Sequence, residues 1–223
     1  MQSVIDAFDD TLNDEIFKSF SFSSALKQLK TSKANLKFLI GEPGSGKSFL
    51  LNYYKQENPN TIILQGLLTK EDIDKNLDND RLIIIDEAQL LDEKILEYIR
   101  ILCDTKKYNF LISIHLQDGL KILEQLHYKN RFIDIIKVNP LSKAEMIQYI
   151  NTKLINNSAN YLISKKEFDK IYKYTLGNFR YIKKFLKTSF ELLQIAKENN
   201  LKYTKINNCI LTMSAIKLGL ENG

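Results

Sequence analysis

The chain is poor in cysteine and has neither a long apolar run nor a basic leader. Each absence removes a class of protein. Its two cysteines, Cys103 and Cys209, lie far apart and lack metal-ligand spacing. A disulfide framework and a cysteine-ligated zinc site are therefore not expected, and both read as free, buried thiols of a reducing compartment. No apolar stretch approaches the roughly 18–20 residues that cross a bilayer, so no integral membrane segment is expected. The opening "MQSVIDAFDD" places acids where a secretory leader needs basic residues. The expected location is the cytoplasm, with peripheral attachment at an inner membrane as a variant of it. There is no internal repeat and no long disordered tail. What remains is 223 residues, 44% hydrophobic and 26% charged, an ordinary soluble globular composition. That length suits one large domain, or a core of about 140 residues with a smaller partner.

The net charge of +5 hides an asymmetry. From Lys143 onward there are 14 Lys+Arg against 6 Asp+Glu, a net of +8; the rest holds 18 against 21, a net of −3. A basic C-terminal segment on a slightly acidic core points to nucleic acid or anionic lipid. The plainer reading is a coding bias, because the whole chain is rich in Lys, Asn and Ile.

Apolar and amphipathic stretches alternate from Asn35 onward. "LKFLI" (36–40), "TIILQ" (61–65), "RLIIID" (81–86), "NFLISI" (109–114) and "FIDIIKV" (132–138) read as strands. Helix-like segments separate them, such as 91–104, with Ile95, Tyr98, Ile99 and Leu102 at helical spacing. Five strands separated by helices predict an α/β fold: a parallel sheet sandwiched by helices. At Pro140 the strands stop. Ser142 with Glu145, and Ser164 with Glu167, form capping boxes. Gly177 ends the second of these helices, and Thr204 is the candidate cap of the last. The expected division is an N-terminal helical segment (1–34, with a polar break near "SFSS"), a core (35–139), and a bundle of about four helices forming a small all-α lid (140–223).

"GEPGSGKS" carries the chemistry. Gly41, Glu42, Pro43, Gly44, Ser45, Gly46, Lys47 and Ser48 fit G-x-x-x-x-G-K-[ST] between a strand and a helix that opens with Phe49 and Leu50. Glycines at 44 and 46 let the backbone curl so that N–H groups converge on phosphate oxygens. The helix N-terminus adds a favourable dipole. Lys47 is then expected on the β- and γ-phosphates, and Ser48 on Mg²⁺.

"RLIIIDEAQLL" follows as a second apolar strand ending in acid, the Walker B pattern. Asp86 is the expected Mg²⁺ partner, through water, and Glu87 the base that deprotonates an attacking water. A kinase has no need of the second acid, so the Asp-Glu pair points to hydrolysis. "TKED" (69–72) imitates a guanine-reading motif, but it precedes Walker B where that motif should follow it, so ATP rather than GTP is expected.

The order of these parts resembles the AAA+ ATPases over nearly all of the chain: Walker A, Walker B, a strand with a polar end, an Arg before the fifth strand, then a helical lid. The resemblance implies a polar sensor at the end of the fourth strand. "NFLISIHLQD" offers Ser113, His115 and Gln117, with Gln117 preferred and His115 second; His115 reads equally as a satisfied histidine beside the sheet. It also implies an arginine finger acting on a neighbouring subunit, at Arg131 in "KNRF". Arg180 in "LGNFR" matches the position where an Arg of the lid contacts the γ-phosphate. Phe17 and Phe20 are candidates to border the adenine. "GEPGSGKS", "DEAQLL" and "PLSKAEMIQYI" look most like the DEAQ-type subgroup, which includes ExeA/MshM-like ATPases of secretion and pilus assembly and TniB/MuB-like ATPases of transposition. The usual Gly-Gln-Pro after the fourth strand is "LQD" here, and the usual Gly-x-Pro-Arg is "GNFR". The implied function is a Mg-dependent, homo-oligomeric ATPase serving an envelope machine of type II secretion, type IV pilus or DNA-uptake type. The alternatives are a DNA-acting ATPase, with DNA held by the basic lid, and a nucleotide-gated scaffold with little hydrolysis.

Overall fold

A computed structural model describes residues 1–9, 17–124, 133–159 and 162–220. The chain divides into two compact units, Phe20–Asn139 and Met1–Ser19 with Pro140–Gly223.

The first unit is built on five parallel strands: β1 (Leu36–Gly41), β2 (Thr61–Gln65), β3 (Leu82–Asp86), β4 (Asn109–His115) and β5 (Ile133–Val138). Their order is β2-β3-β4-β1-β5. The helices between them are α3 (Lys47–Glu57), α4 (Lys70–Asp74), α5 (Glu93–Asp104) and α6 (Leu116–Glu124), with a 3₁₀ turn at Ala88–Leu90. Successive side chains on a strand point to opposite faces. The isoleucine run of β3 therefore serves two cores at once. Ile83 and Ile85 pack with Phe38, Ile40, Phe110 and Ile112 under Leu96 and Ile99 of α5. Ile84 packs on the other face with Leu39 and Leu111, beneath Leu50 and Leu51 of α3. All three isoleucines are fully buried. A strand covered on both faces reads as a continuous apolar run, which is why the sequence showed one.

The segment 1–34 does not stand as one N-terminal element. Helix α2 (Phe20–Thr31) buries Phe22, Ala25 and Leu29 against the sheet unit. Helix α1 (Gln2–Asp6) instead contributes Val4 and Ile5 to the core of the second unit, where Phe8 stacks on Phe190 with ring centroids 5.8 Å apart. The expected break near "SFSS" lies inside the first turn of α2, where the Ser21 hydroxyl accepts the Asn139 N–H at 2.7 Å.

The second unit also holds α7 (Lys143–Asn156), α8 (Lys165–Thr175), α9 (Phe179–Glu198) and α10 (Asn208–Lys217). Both capping boxes form, on Ser142/Glu145 and Ser164/Glu167. Gly177, at φ 75°, follows a left-handed Leu176 at the end of α8. A Cβ on Gly177 would fall 1.9 Å from the Leu141 carbonyl oxygen, so glycine is required there twice over. The last helix is capped by Asn207, not Thr204: the Asn207 side chain accepts the Ile210 N–H at 3.0 Å. Cys103 is buried as expected, but Cys209 is exposed. No described helix is long and apolar enough to cross a membrane.

Candidate nucleotide site

β1 delivers the Walker A segment to the C-terminal edge of the sheet, where ligands of open α/β folds sit. Gly41 pairs with His115 of β4 on one side and Val138 of β5 on the other. A Cβ there would lie 2.5 Å from the Val138 carbonyl oxygen and 2.7 Å from Ser45 Oγ. Gly44 (φ 78°) and Gly46 (φ 100°) then turn the loop through the left-handed region. Gly46 is the N-cap of α3 and offers no side chain to its first N–H groups. Those donors stay available for an anion. Lys47 is only 8% exposed, and its Nζ donates to the carbonyls of Gly41 at 2.8 Å and Glu42 at 3.2 Å. Its ammonium is folded back over the loop it would share with phosphate. Ser45 Oγ is buried with no hydrogen-bond partner. Ser48, Phe49 and Pro43 are exposed, while Glu42 is half-buried.

At the end of β3, Asp86 is 2% exposed and held by three donors. Its Oδ1 accepts from Ser113 Oγ at 2.7 Å and from the Glu87 N–H at 3.0 Å; its Oδ2 accepts from Gln65 Nε2 at 3.3 Å. Gln65 is the last residue of β2 and pairs in register with Asp86. A buried carboxylate held by three donors is fixed in orientation, as a metal-positioning group must be. Glu87 is exposed and left-handed, at φ 57° and ψ 41°. A side chain in that region carries strain of order 1–3 kcal/mol, and such outliers gather at functional sites. The bend points the two carboxylates of one dipeptide to different surroundings, one buried and one in solvent.

His115 ends β4, level with Gly41. Its Nε2 lies 3.5 Å from Gln89 Nε2, and its Nδ1 lies 3.9 Å from Asp118 Oδ2. Gln89 Oε1 is buried without a partner. Gln117 is not on the strand: it stands exposed in the first turn of α6. Ser113, the third polar residue of β4, is the Asp86 donor. Arg131 lies outside the described residues. Arg180 is exposed on α9 in the second unit, where the Asn178 side chain caps its N–H at 3.1 Å. Phe20 is 83% exposed, and Phe17 packs edge-on against Tyr149 and Phe179 in the second unit. Sequence reading missed Gln65 and Gln89. The signal for Gln65 was a polar residue closing an apolar strand, as Asp86 closes its neighbour.

The residues fit MgATP on their own geometry: uncapped N–H groups, a buried lysine, an orphaned serine hydroxyl and an oriented carboxylate share one edge of the sheet. Neither a protein-family profile nor a characterised relative matches the sequence. Solved structures do match in fold. The RuvB Holliday junction branch migration motor of Thermotoga maritima is 20% identical, covered over 90% of this chain and 68% of that one, with a TM-score of 0.62. Cdc6p of Pyrobaculum aerophilum is 14% identical over 95% of this chain and 70% of that one, TM-score 0.65. A Walker-type ATPase of Pyrococcus abyssi is 14% identical over 87% and 77%, TM-score 0.64. The chain thus has the P-loop AAA+ fold, a five-stranded parallel sheet flanked by helices with a helical C-terminal region.

Proposed function

We propose that the chain is a Mg-dependent ATPase of the AAA+ kind. The observation that carries this is the Asp86–Glu87 pair: a buried carboxylate held by three donors beside an exposed one in strained backbone, on the same sheet edge as the Walker A loop. Bound Mg²⁺ would neutralise phosphate oxygens, held by Ser48 and, through water, by Asp86. Lys47 exchanges its two loop carbonyls for the β- and γ-phosphate oxygens. Backbone N–H groups of 44–48 take the remaining phosphate charge. Glu87 accepts the proton of the attacking water. His115, at the end of β4 beside Gly41, replaces Gln117 as the better-placed sensor candidate. Arg180 and Arg131 are the proposed cations on the γ-phosphate, Arg131 across a subunit boundary in a nucleotide-dependent homo-oligomer.

The test is Glu87→Gln. It should retain ATP binding and lose hydrolysis by a factor of 10² or more, as removal of a positioned general base does. Turnover within twofold of the parent would remove Glu87 from the mechanism.

The motif resemblance to DEAQ-type ATPases supports a protein partner in an envelope machine for secretion, pilus assembly or DNA uptake, reached from the cytoplasm or the inner-membrane face. A second reading, a DNA-acting ATPase, is favoured by the net charge of +8 from Lys143 onward. It is also favoured by sharing a fold with a branch migration motor. Glu87 counts against a scaffold that barely hydrolyses.

A further inference from the structure

The stretch from Leu162 to Leu220 carries more cations than its own acids can balance, and those acids are already occupied. Among the described residues from Leu162 to Leu220 there are four. Glu167 accepts from Ser164 in the capping box; Asp169 pairs with Lys143 at 2.5 Å. Glu191 faces Lys217 at 3.9 Å, and Glu198 accepts from Gln194 at 3.0 Å. None answers Lys165, Lys166 or Lys173 on α8, or Lys202 and Lys205 in the segment before α10, and all five are exposed. The segment before α10 meets α8 near its start. The Ile206 N–H donates to the Leu162 carbonyl at 2.8 Å, which sets Lys205 beside the start of α8. Lys170 ties α8 to α10 through Asn208 Oδ1 at 2.7 Å and Thr212 Oγ1 at 2.6 Å.

This arrangement works against the stability of the unit. Lys165 and Lys166 open α8, the end where the helix dipole disfavours cations. Lys166, Lys170 and Lys173 recur at i, i+4 and i+7, so like charges stack along one stripe. Lys170 and Lys173 each lie 5.8 Å over the Tyr174 ring. That contact holds them in place, but it neutralises neither.

We propose that α8 and the 201–207 segment bind the phosphate backbone of nucleic acid without reading its sequence. Lys166 to Lys173 span about 10 Å at 1.5 Å per residue. A duplex presents one phosphate charge per roughly 1.7 Å of axis, so about six phosphates pass along that stripe. The amides nearby, which read bases elsewhere, are engaged: Asn207 caps α10 and Asn208 holds Lys170. A bilayer fits less well. The apolar face of α8, with Phe168 and Ile171, is already buried in the unit's own core, which leaves Leu176 and Leu201 exposed there rather than a continuous apolar face to enter lipid. The proposal deepens the DNA-acting reading and is independent of ATP hydrolysis.

The experiment measures anisotropy of a fluorescein-labelled 40-base-pair duplex of mixed sequence, titrated with the full chain without nucleotide between 50 and 200 mM NaCl. Five lysines without an acidic partner among the described residues predict a log-log salt slope of about −4 to −5, and a second duplex of unrelated sequence should bind alike. K166Q/K173Q/K205Q should flatten the slope by about 3 units and weaken binding more than tenfold at 50 mM NaCl. The charge-matched K75Q/K94Q/K107Q on the sheet unit should leave affinity within threefold. Unchanged far-UV circular dichroism and an unchanged urea midpoint in both triple variants certify folding. No duplex binding at 50 mM NaCl overturns the proposal. So does equal weakening by the two triple variants, which would mean bulk charge alone. Binding to phosphatidylserine vesicles with none to duplex would assign the surface to membrane instead. None of these outcomes touches the Glu87→Gln test of the ATPase.

Discussion

Ser113→Ala isolates the bond that orients Asp86. Ser113 is fully buried, and its Oγ makes the shortest of the three bonds to the carboxylate, at 2.7 Å. A hydrogen bond to a charged group contributes about 1.5–3 kcal/mol. The space left by one hydroxyl oxygen is too small for a water with two or more partners of its own, so nothing replaces the lost donor. Oδ1 would keep only the Glu87 N–H. A loss of about 2 kcal/mol follows, which lowers the unfolding midpoint of a domain of this size by roughly 4–8 °C. Circular dichroism in urea measures the stability. A double-mutant cycle with Asp86→Asn assigns the loss to the pair, with a coupling of about 1–2 kcal/mol expected. The looser carboxylate should also weaken Mg²⁺-dependent ATP turnover while leaving Mg²⁺-free nucleotide binding intact. A stability change below about 0.5 kcal/mol together with unaltered turnover would refute the claim that Ser113 positions Asp86.

Two further outcomes test the fold around the site. Gly41→Ala forces a methyl to 2.5 Å from a backbone carbonyl of β5; overpacking against backbone should cost about 1–3 kcal/mol and reduce nucleotide affinity, and a silent substitution in both assays would show that β5 does not approach as closely as described. Burial pushes the Cys103 thiol up from 9.0 to about 12. Iodoacetamide at pH 8 should therefore alkylate the native chain once, at Cys209, and twice only in denaturant. The same shift has a stability consequence. The folded state keeps a proton that the unfolded thiol releases, so this contribution is complete below pH 9 and falls between pH 9 and about 12. The slope there is roughly 1.4 kcal/mol per unit, and it should vanish in Cys103→Ala.

How far the sequence reached depends on whether the deciding contacts are local. The strands were legible because β1, β3 and β4 are covered on both faces, which leaves continuous apolar runs. The Walker A loop and the capping boxes were legible because each closes over a few residues. Gln65 was not, because its contact with Asp86 exists only through the register of β2 against β3. The exposure of Cys209 was hidden for another reason. Helix α10 is apolar nearly all round, burying Ile210, Leu211 and Ala215 while exposing Met213 and Ile216, so no periodicity marks its inner face. The division of 1–34 was hidden because the packing of Phe8 on Phe190 and of Phe22 on the sheet core are both long-range. Gln117 was misplaced by two residues, enough to move it from strand end to helix.

The backbone at Glu87 links stability to the proposed activity, and it can be measured apart from chemistry. At φ 57° a Cβ crowds the neighbouring carbonyl, which costs about 1–2 kcal/mol; glycine does not pay that strain. Glycine also leaves a freer unfolded chain, a loss of about 0.5–1 kcal/mol relative to alanine. Comparing Glu87→Gly with Glu87→Ala removes the carboxylate from both and leaves only these two effects. The strain matches or exceeds the entropy, so Glu87→Gly should be at least as stable as Glu87→Ala, by up to about 1.5 kcal/mol, the reverse of their order at an ordinary helical or extended position. Both should be inactive. If alanine proves more stable than glycine, the left-handed turn is not held in solution. Glu87 would then continue the alternation of β3, and the proposed division of roles between a buried Asp86 and an exposed Glu87 would lose its structural cause.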